Sequence, residues 1–271
     1  MESNIEKQAE EVDQRGFIPT SQIDYSTLPS GGKGYPSSTK ISVRPYSFGE
    51  IKRIADSDLS MVDKLATIVS GVNTEFDKNK LTFSDLLYLG MIRKLNTIGT
   101  VKAVYPYTCP HCSERNEHVF THKDLEIEDL KAQELPIRVN MSDGKEYKFM
   151  PIDLNDIRIM ESGRYDKIIP AKNMLNDKVA IYALLCKNAK FEEFYNFLSG
   201  TTDYEDHEIM KEIDDLLSHD VKPLEASCKS CQKEVYLPIK NAIDLVLPFR
   251  EEKGLVRSRI SYGEGTQLNR N

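Results

Sequence analysis

The sequence predicts an α+β fold, mostly helical, with two β-hairpins and a ribbon-like sheet formed by two distant Cys-x-x-Cys knuckles. Three observations carry this. Several stretches set apolar residues at helical spacing, such as Leu86, Leu87, Leu89, Ile92 and Leu95. Short runs alternate apolar and polar residues between turn-forming Gly, Pro, Asn and Asp. Four of the five cysteines form two like-spaced pairs, Cys109 with Cys112 and Cys228 with Cys231.

Residues 1–22 are charged, poor in apolar residues and without a sustained period, and read as a mobile N-terminal arm. Gly31, Gly32, Gly34 and Pro36 then make a loop, expected to be an exposed turn because PSGGKGYP lacks the spacing of a phosphate-binding loop. Lys40 to Pro45 alternates like a strand, with Ile41 and Val43 on one face. Ser47 and Glu50 form a capping box, and Ile51 and Ile54 begin a helical stripe. Two further helices are predicted over Leu59 to Ser70, ended by Gly71, and over Ser84 to Asn96. Thr100 to Tyr107 alternates as a strand leading to Cys109.

Beyond the first cysteine pair, Leu135 to Met150 reads as a hairpin turning at Ser142-Asp143-Gly144. Helices are predicted over Asp153 to Glu161, Asn173 to Lys187, Lys190 to Leu198 and Tyr204 to Ser218, with Gly200 as a stop and Asp203 as a cap. Glu234 to Lys240 is the last strand. The resulting organisation has hairpin plus helices at 23–108, ribbon halves at 109–123 and 224–247, a hairpin-plus-helix insertion at 124–223, and an extended, locally basic tail at 248–271.

The two halves echo one another. KISVRPYSFGEIKRI from Lys40 aligns with EYKFMPIDLNDIRIM from Glu146, so that Val43 meets Phe149, Pro45 meets Pro151, Phe48 meets Leu154, Glu50 meets Asp156 and Lys52 meets Arg158. The offset is 106 residues there and 119 at the first cysteines, so a duplication would include insertions. Chance agreement between two common strand-to-helix patterns is the plainer reading.

Composition bounds the function. The 271 residues carry a net charge of −7, which argues against non-specific nucleic-acid binding through Lys and Arg. Hydrophobic residues make up only 39%, but 13 Tyr and 10 Phe are too many for a generally disordered chain. No run approaches the roughly 18 apolar residues of a membrane span. The start MESNIEKQAEEVDQ does not read as a signal peptide, so the thiols are expected to be reduced and metal binding is favoured over disulfides.

Thiolates are the ligands zinc prefers, and four complete its tetrahedral shell. Cys109, Cys112, Cys228 and Cys231 are therefore the candidate ligands of one structural Zn2+, making the knuckles a zinc ribbon. The 115 residues between Cys112 and Cys228 exceed the usual spacing. Loop closure grows with the logarithm of length, so the excess costs about 2 kcal/mol. A structural zinc contributes on the order of 10 kcal/mol. Cys109-Pro110-His111-Cys112 also matches the tetrad of thiol-disulfide oxidoreductases, which need it at a helix start; here a strand-like stretch follows. With four thiolates available, His111, His118 and His122 read as surface residues, and Cys186 as a small apolar side chain. Lys52-Arg53 and Arg93-Lys94 read as solvated basic pairs. Asp153, Asp156, Asp214 and Asp215 read as cap or surface carboxylates. No catalytic motif is present, and no catalytic or cofactor-binding residue is assigned.

Leu28, Pro29, Ser30, Gly32, Tyr35 and Pro36, followed by Arg44, Pro45 and the helix from Ser47, resemble baseplate hub and hub assembly proteins of T4-like contractile-tailed bacteriophages. The close resemblance covers about residues 23 to 60. It implies a structural or assembly protein, not an enzyme, built in the host cytoplasm and located in the virion tail baseplate. The partners it implies are other phage tail and hub proteins, with no small-molecule substrate, nucleic acid or membrane. Polar terminal segments and a Tyr-rich composition suit such wet protein interfaces. The alternative is a zinc-ribbon accessory protein in transcription or nucleic-acid transactions, which needs a basic face near the knuckles. There Glu114 and Glu117 offset Arg115, and Lys229 and Lys233 sit beside Glu234.

Overall fold

The computed structural model describes residues 20–36, 40–56, 59–99, 102–121, 124, 126–174, 177–218, 221–237, 243 and 246–247. Most of the expected N-terminal arm, His122 and the C-terminal tail lie outside them. The fold is mixed α and β, with helices around small antiparallel sheets.

The N-terminal half begins with a three-stranded sheet, β1 (Ser21–Ile23), β2 (Ile41–Val43) and β3 (Val72–Thr74), in that order. The expected arm is therefore shorter than residues 1–22, because Ser21 and Gln22 pair with Val43 and Ser42. Ile41 and Val43 share the inward face and are fully buried. Pro45 ends β2, and α1 (Phe48–Asp56) starts on the expected capping box: Glu50 N–H donates to Ser47 Oγ at 3.3 Å, and Ser47 N–H to Glu50 Oε2 at 2.7 Å. Next come α2 (Met61–Ser70), capped by Ser60, and α3 (Phe83–Ile98), capped by Thr82.

The loop from Leu28 to Tyr35 is only in part the exposed turn that was expected. Leu28 and Ser30 are buried, and Ser30 N–H donates to the buried carboxylate of Asp85 at 2.9 Å. Tyr35 Oη donates to the same carboxylate and accepts from Thr82 N–H. Lys33 Nζ reaches the carbonyls of Leu130 and Ala132, at 3.1 and 2.7 Å. Gly32 has φ +73°, and a Cβ there would lie 2.0 Å from the Tyr25 ring, so only glycine fits. Gly31, Gly34 and Pro36 are exposed, while Leu28, Ser30 and Gly32 are buried where the loop finds partners on α3 and at Leu130 and Ala132.

Arg93 on α3 also departs from its expected solvated face. Its side chain is fully buried, with the guanidinium 3.9 Å over the Tyr46 ring. It donates to the carbonyls of Arg44 (2.8 Å), Thr67 (2.6 Å) and Ile68 (2.8 Å), and to Glu50 at 3.1 Å. A Cβ on Gly71 would fall 2.1 Å from the guanidinium carbon. Lys94 is nearly as buried.

Burial alone would raise the Glu50 carboxyl. Hydrogen bonds from Arg44, Ser70 and Ser47 N–H, with the Arg93 charge, outweigh it and hold the group far below its ordinary 4.5. A carboxyl depressed in the folded state stabilises above its unfolded pKa and loses that contribution as pH falls. Wild-type stability should therefore fall as pH drops below about 4.5, and the Glu50→Gln variant should lack that part of the slope. Urea unfolding of both proteins across this range measures the difference.

The C-terminal half repeats much of this order. A hairpin, β6 (Ile137–Asn140) with β7 (Glu146–Phe149), turns at Ser142–Gly144 and leads through Pro151 to α4 (Leu154–Glu161). Asp153 and Asp156 form its capping box. The strand-to-strand bridge Phe149↔Cys186 stands where Val43↔Val72 stands in the first half. Lys187 Nζ donates to Asp156, as Arg93 does to Glu50. The single helix expected over Asn173 to Lys187 is broken into α5 (Ala171–Met174) and α6 (Lys178–Leu185). Asp177 takes the N-cap role, accepting from Ala180 N–H at 3.0 Å. Then follow α7 (Phe191–Gly200) and α8 (Tyr204–Leu217), the latter capped by Asp203 as expected. Tyr147, Phe149 and Phe194 form an aromatic core, and Cys186 packs as a small buried side chain.

The halves meet where Phe83 N–H donates to Ile152 O at 3.1 Å and Thr82 bridges Asp153. Arg158 adds a bond to Asn79 at 2.9 Å. Two hairpins remain, β4 (Lys102–Thr108) with β5 (Arg115–Thr121), and β8 (Leu224–Ser227) with β9 (Glu234–Leu237). They are separate two-stranded ribbons among the described residues, where one shared sheet was expected.

Candidate metal centre

Each ribbon ends in a Cys-x-x-Cys turn, and the two turns have the same backbone. Cys109 N–H donates to Glu114 O at 2.9 Å, and Ser113 N–H to Cys109 O at 2.9 Å. Cys228 N–H donates to Lys233 O at 3.0 Å, and Gln232 N–H to Cys228 O at 2.9 Å. Ser113 and Gln232, the residues after the second cysteines, take φ of 60° and 58°. That left-handed step is uncommon outside glycine, and here it turns each chain back into its second strand.

The turns face each other and bring Cys109, Cys112, Cys228 and Cys231 into one cluster. All four sulfurs lie within 4.8 Å of one another. The short approaches run between the turns: Cys109 Sγ to Cys231 Sγ is 3.7 Å, and Cys112 Sγ to Cys228 Sγ is 3.6 Å. A tetrahedral zinc with bonds of about 2.3 Å needs ligand separations of about 3.8 Å. Cys109 and Cys228 are buried, Cys231 is half-buried and Cys112 is exposed.

Backbone N–H groups point at the sulfurs, His111 N–H reaching Cys109 Sγ at 3.4 Å. The Cys231 and Ser230 amides, with the Cys112 thiol, bring the Cys228 thiol down to about 6. At Cys112 the Glu114 amide favours the thiolate, but lost hydration and the three neighbouring cysteines outweigh it and push the thiol up to about 12. The cluster thus draws negative charge and yet crowds it, a conflict that a bound cation relieves. Four thiols, converging amides and cross-turn sulfur separations of 3.6 and 3.7 Å fit a metal site.

Asn116, which sequence reasoning missed, couples the two turns. It lies on β5, is buried, and accepts from Lys229 N–H at 3.0 Å through Oδ1. Its Nδ2 donates to Glu114 O at 3.1 Å and to Cys228 Sγ at 3.4 Å. The available signal was a polar residue on the inward-facing register of β5, four positions after Cys112. Groups that orient metal ligands typically carry 10–100-fold in affinity. Asn116→Ala is expected to weaken metal binding by about that factor, read by competition with a chromophoric chelator.

Neither tetrad begins a helix, the setting that activates a thiol in oxidoreductases; each is a hairpin turn. His111 is exposed as expected, whereas His118 is half-buried with an Nε2 that has no hydrogen-bond partner among the described residues. Arg115 and Lys229 are exposed near the cluster but alternate with Glu114, Glu117 and Glu234. Asp153 and Asp156 are cap residues, and Asp215 pairs with Lys131 at the surface.

The chain belongs to the T4 bacteriophage base plate protein family, which it matches over residues 20–245. The match includes both halves and all four clustered cysteines. No curated protein and no solved structure matches the chain. Membership in this family makes it a phage baseplate protein, with other tail proteins as the expected class of partner. No helix among the described residues is long and apolar enough to cross a membrane.

Proposed function

We propose that the chain is a structural or assembly component of the baseplate hub whose two halves are clamped by one zinc ion on Cys109, Cys112, Cys228 and Cys231. The observation that carries this reading is the convergence of four sulfurs from turns 115 residues apart in sequence. A four-thiolate site leaves no position for water or substrate, so the ion supplies fold energy and rigidity. The role is then protein–protein interaction, not catalysis. The repeated order of hairpin, capping-box helix, bridging strand and knuckle supports a duplication in which each half contributes one thiolate pair. It also supports segments at 23–108 and 124–223 flanking the ribbon halves at 109–123 and 224–247. The balanced charge around the turns gives no support to the nucleic-acid alternative.

Quantitative mass spectrometry of purified tails and of tail-assembly intermediates tests this. A fixed integer number of chains per particle, or stable association with intermediates alone, is the expected result. Absence from both would overturn the hub reading.

A further inference from the structure

A cavity of about 290 Å³ opens at the seam of the two halves. Met61 and Phe83, the first residues of α2 and α3, line one side. Ile152, Met160, Ile181 and Leu217 line the other, from the segment before α4 and from α4, α6 and α8. Met61, Phe83, Ile152 and Ile181 are only half-buried, so four separate segments leave apolar surface open in one concave place. The volume lies just below the roughly 300–1,000 Å³ of small-molecule sites, and a few side chains fill it. Carboxylates mark its border. Asp214 is part of the lining, and Glu161 stands beside Met61, its oxygens 3.4 Å from Val62 N–H. Asp63 is exposed on the same first turn of α2. Lys178 approaches Asp214 at 3.9 Å, so these four groups together are net acidic.

The chain's own C-terminal segment starts close by. Val246 is fully buried on α2 and α3: Tyr46 Oη donates to its carbonyl at 3.4 Å, and a Cβ on Gly90 would lie 3.0 Å from Val246 and 3.1 Å from Ile68. Gly90 follows Phe83 by seven residues on α3, and Ile68 follows Met61 by seven on α2. Seven residues make nearly two turns, so each pair shares one helix face at a separation of about 10 Å. Val246 and the cavity therefore lie along the same side of this helix pair. Leu247 is the last described residue, and residues 248–271 follow it in sequence. Leu255 comes eight residues after Leu247, a reach of up to about 26 Å for extended chain. The stretch from 253 to 260 joins Leu255 and Val256 to Lys253, Arg257 and Arg259, with no acidic residue. Apolar side chains flanked by cations are the complement of an apolar cavity with an acidic border.

We propose that this cavity is the seat of the chain's own C-terminal segment, with Leu255 and Val256 entering it and Arg257 and Arg259 meeting the carboxylates of Asp214 and Glu161. Seated there, the segment ties α2 and α3 of the first half to α4, α6 and α8 of the second. This tie is independent of the cysteine cluster.

Photocrosslinking of the full chain tests this, with p-benzoylphenylalanine in place of Leu255. Benzophenones react readily with methionine, and Met61 and Met160 line the cavity. Irradiation followed by peptide mass spectrometry should give cross-links within one chain to Met61, Met160 or the α6 peptide that carries Ile181. Adding Arg257→Glu and Arg259→Glu should lower their yield several-fold, whereas Arg257→Lys and Arg259→Lys should keep most of it. Methyl spectra of the full chain labelled at methionine give a second readout. Leu255→Asp with Val256→Asp should shift the signals of Met61 and Met160 and leave those of Met141 and Met210 in place. Cross-links that join two chains would overturn the proposal and assign the cavity to the tail of a second copy. Cross-links that miss the cavity, or methionine signals that do not move, would overturn it and leave the cavity to a different tail protein. A yield unchanged by the glutamates would overturn it too.

Discussion

Removing the metal from the four-cysteine cluster should lower the melting temperature of the protein by about 20 °C or more, a shift expected from a site worth on the order of 10 kcal/mol. That is comparable to the entire stability of an ordinary domain, about 5–15 kcal/mol. Among the described residues, Tyr107 Oη donates to Ser227 O at 3.1 Å and Asn116 spans the turns, while the Ile127↔Val221 bridge ties the segments beyond the ribbons. Isolated two-stranded ribbons are marginal in water. Without a cation the four sulfurs also hold competing protonation states, because Cys228 favours its thiolate while its neighbour Cys112 resists it. Cys109→Ser should reproduce the effect of a chelator, since Cys109 is fully buried and a hydroxyl is a poor zinc ligand. The helices around Arg93 pack on buried Leu65, Ile68 and Leu86, and those around Phe194 on Tyr147 and Phe149, so much of the far-UV helical signal should outlast the ribbons. Thermal unfolding with and without chelator, followed by circular dichroism, measures both effects.

Arg93→Met should cost about 3–5 kcal/mol, the range for removing one partner of a buried charge network. The guanidinium is the hub of the first half. It joins the end of β2 at Arg44, the last turn of α2 at Thr67 and Ile68, and the capping carboxylate of α1 at Glu50. Methionine fills much of the volume but leaves those carbonyls and part of the carboxylate without donors. Arg93→Lys should recover little, because a single ammonium cannot reach carbonyls and carboxylate on opposite sides of a planar fork. Urea unfolding gives the loss. A cycle with Glu50→Gln should show strong coupling, because the same contact is removed by either change.

How far these features could be read from sequence follows from the range of the interactions involved. Capping boxes at Ser47–Glu50 and Asp153–Asp156, the Asp203 cap and the turn at Ser142–Gly144 were legible because each is decided within four residues. The convergence of the four thiols was legible because two like-spaced Cys-x-x-Cys pairs point to one cluster whatever their sequence distance. Arg93 was not, because its partners just after β2 and on α2 lie 25 to 49 residues away, and two adjacent basic residues look alike in solvent or in a core. The Leu28–Tyr35 loop looked exposed throughout for the same reason: its partial burial depends on Asp85 and on carbonyls 97 and 99 residues away from Lys33. The split at Asp177 lay in plain view, since an Asp side chain that can cap a helix can also interrupt one.

The central claim is that one metal ion joins both halves through four sulfurs, and X-ray absorption with quantitative metal analysis on the reduced, full-length protein tests it most directly. The account predicts one zinc per chain with four sulfur neighbours at about 2.3 Å. Protein purified under reducing conditions that holds no zinc, or an ion bound by fewer than four sulfurs, would contradict it.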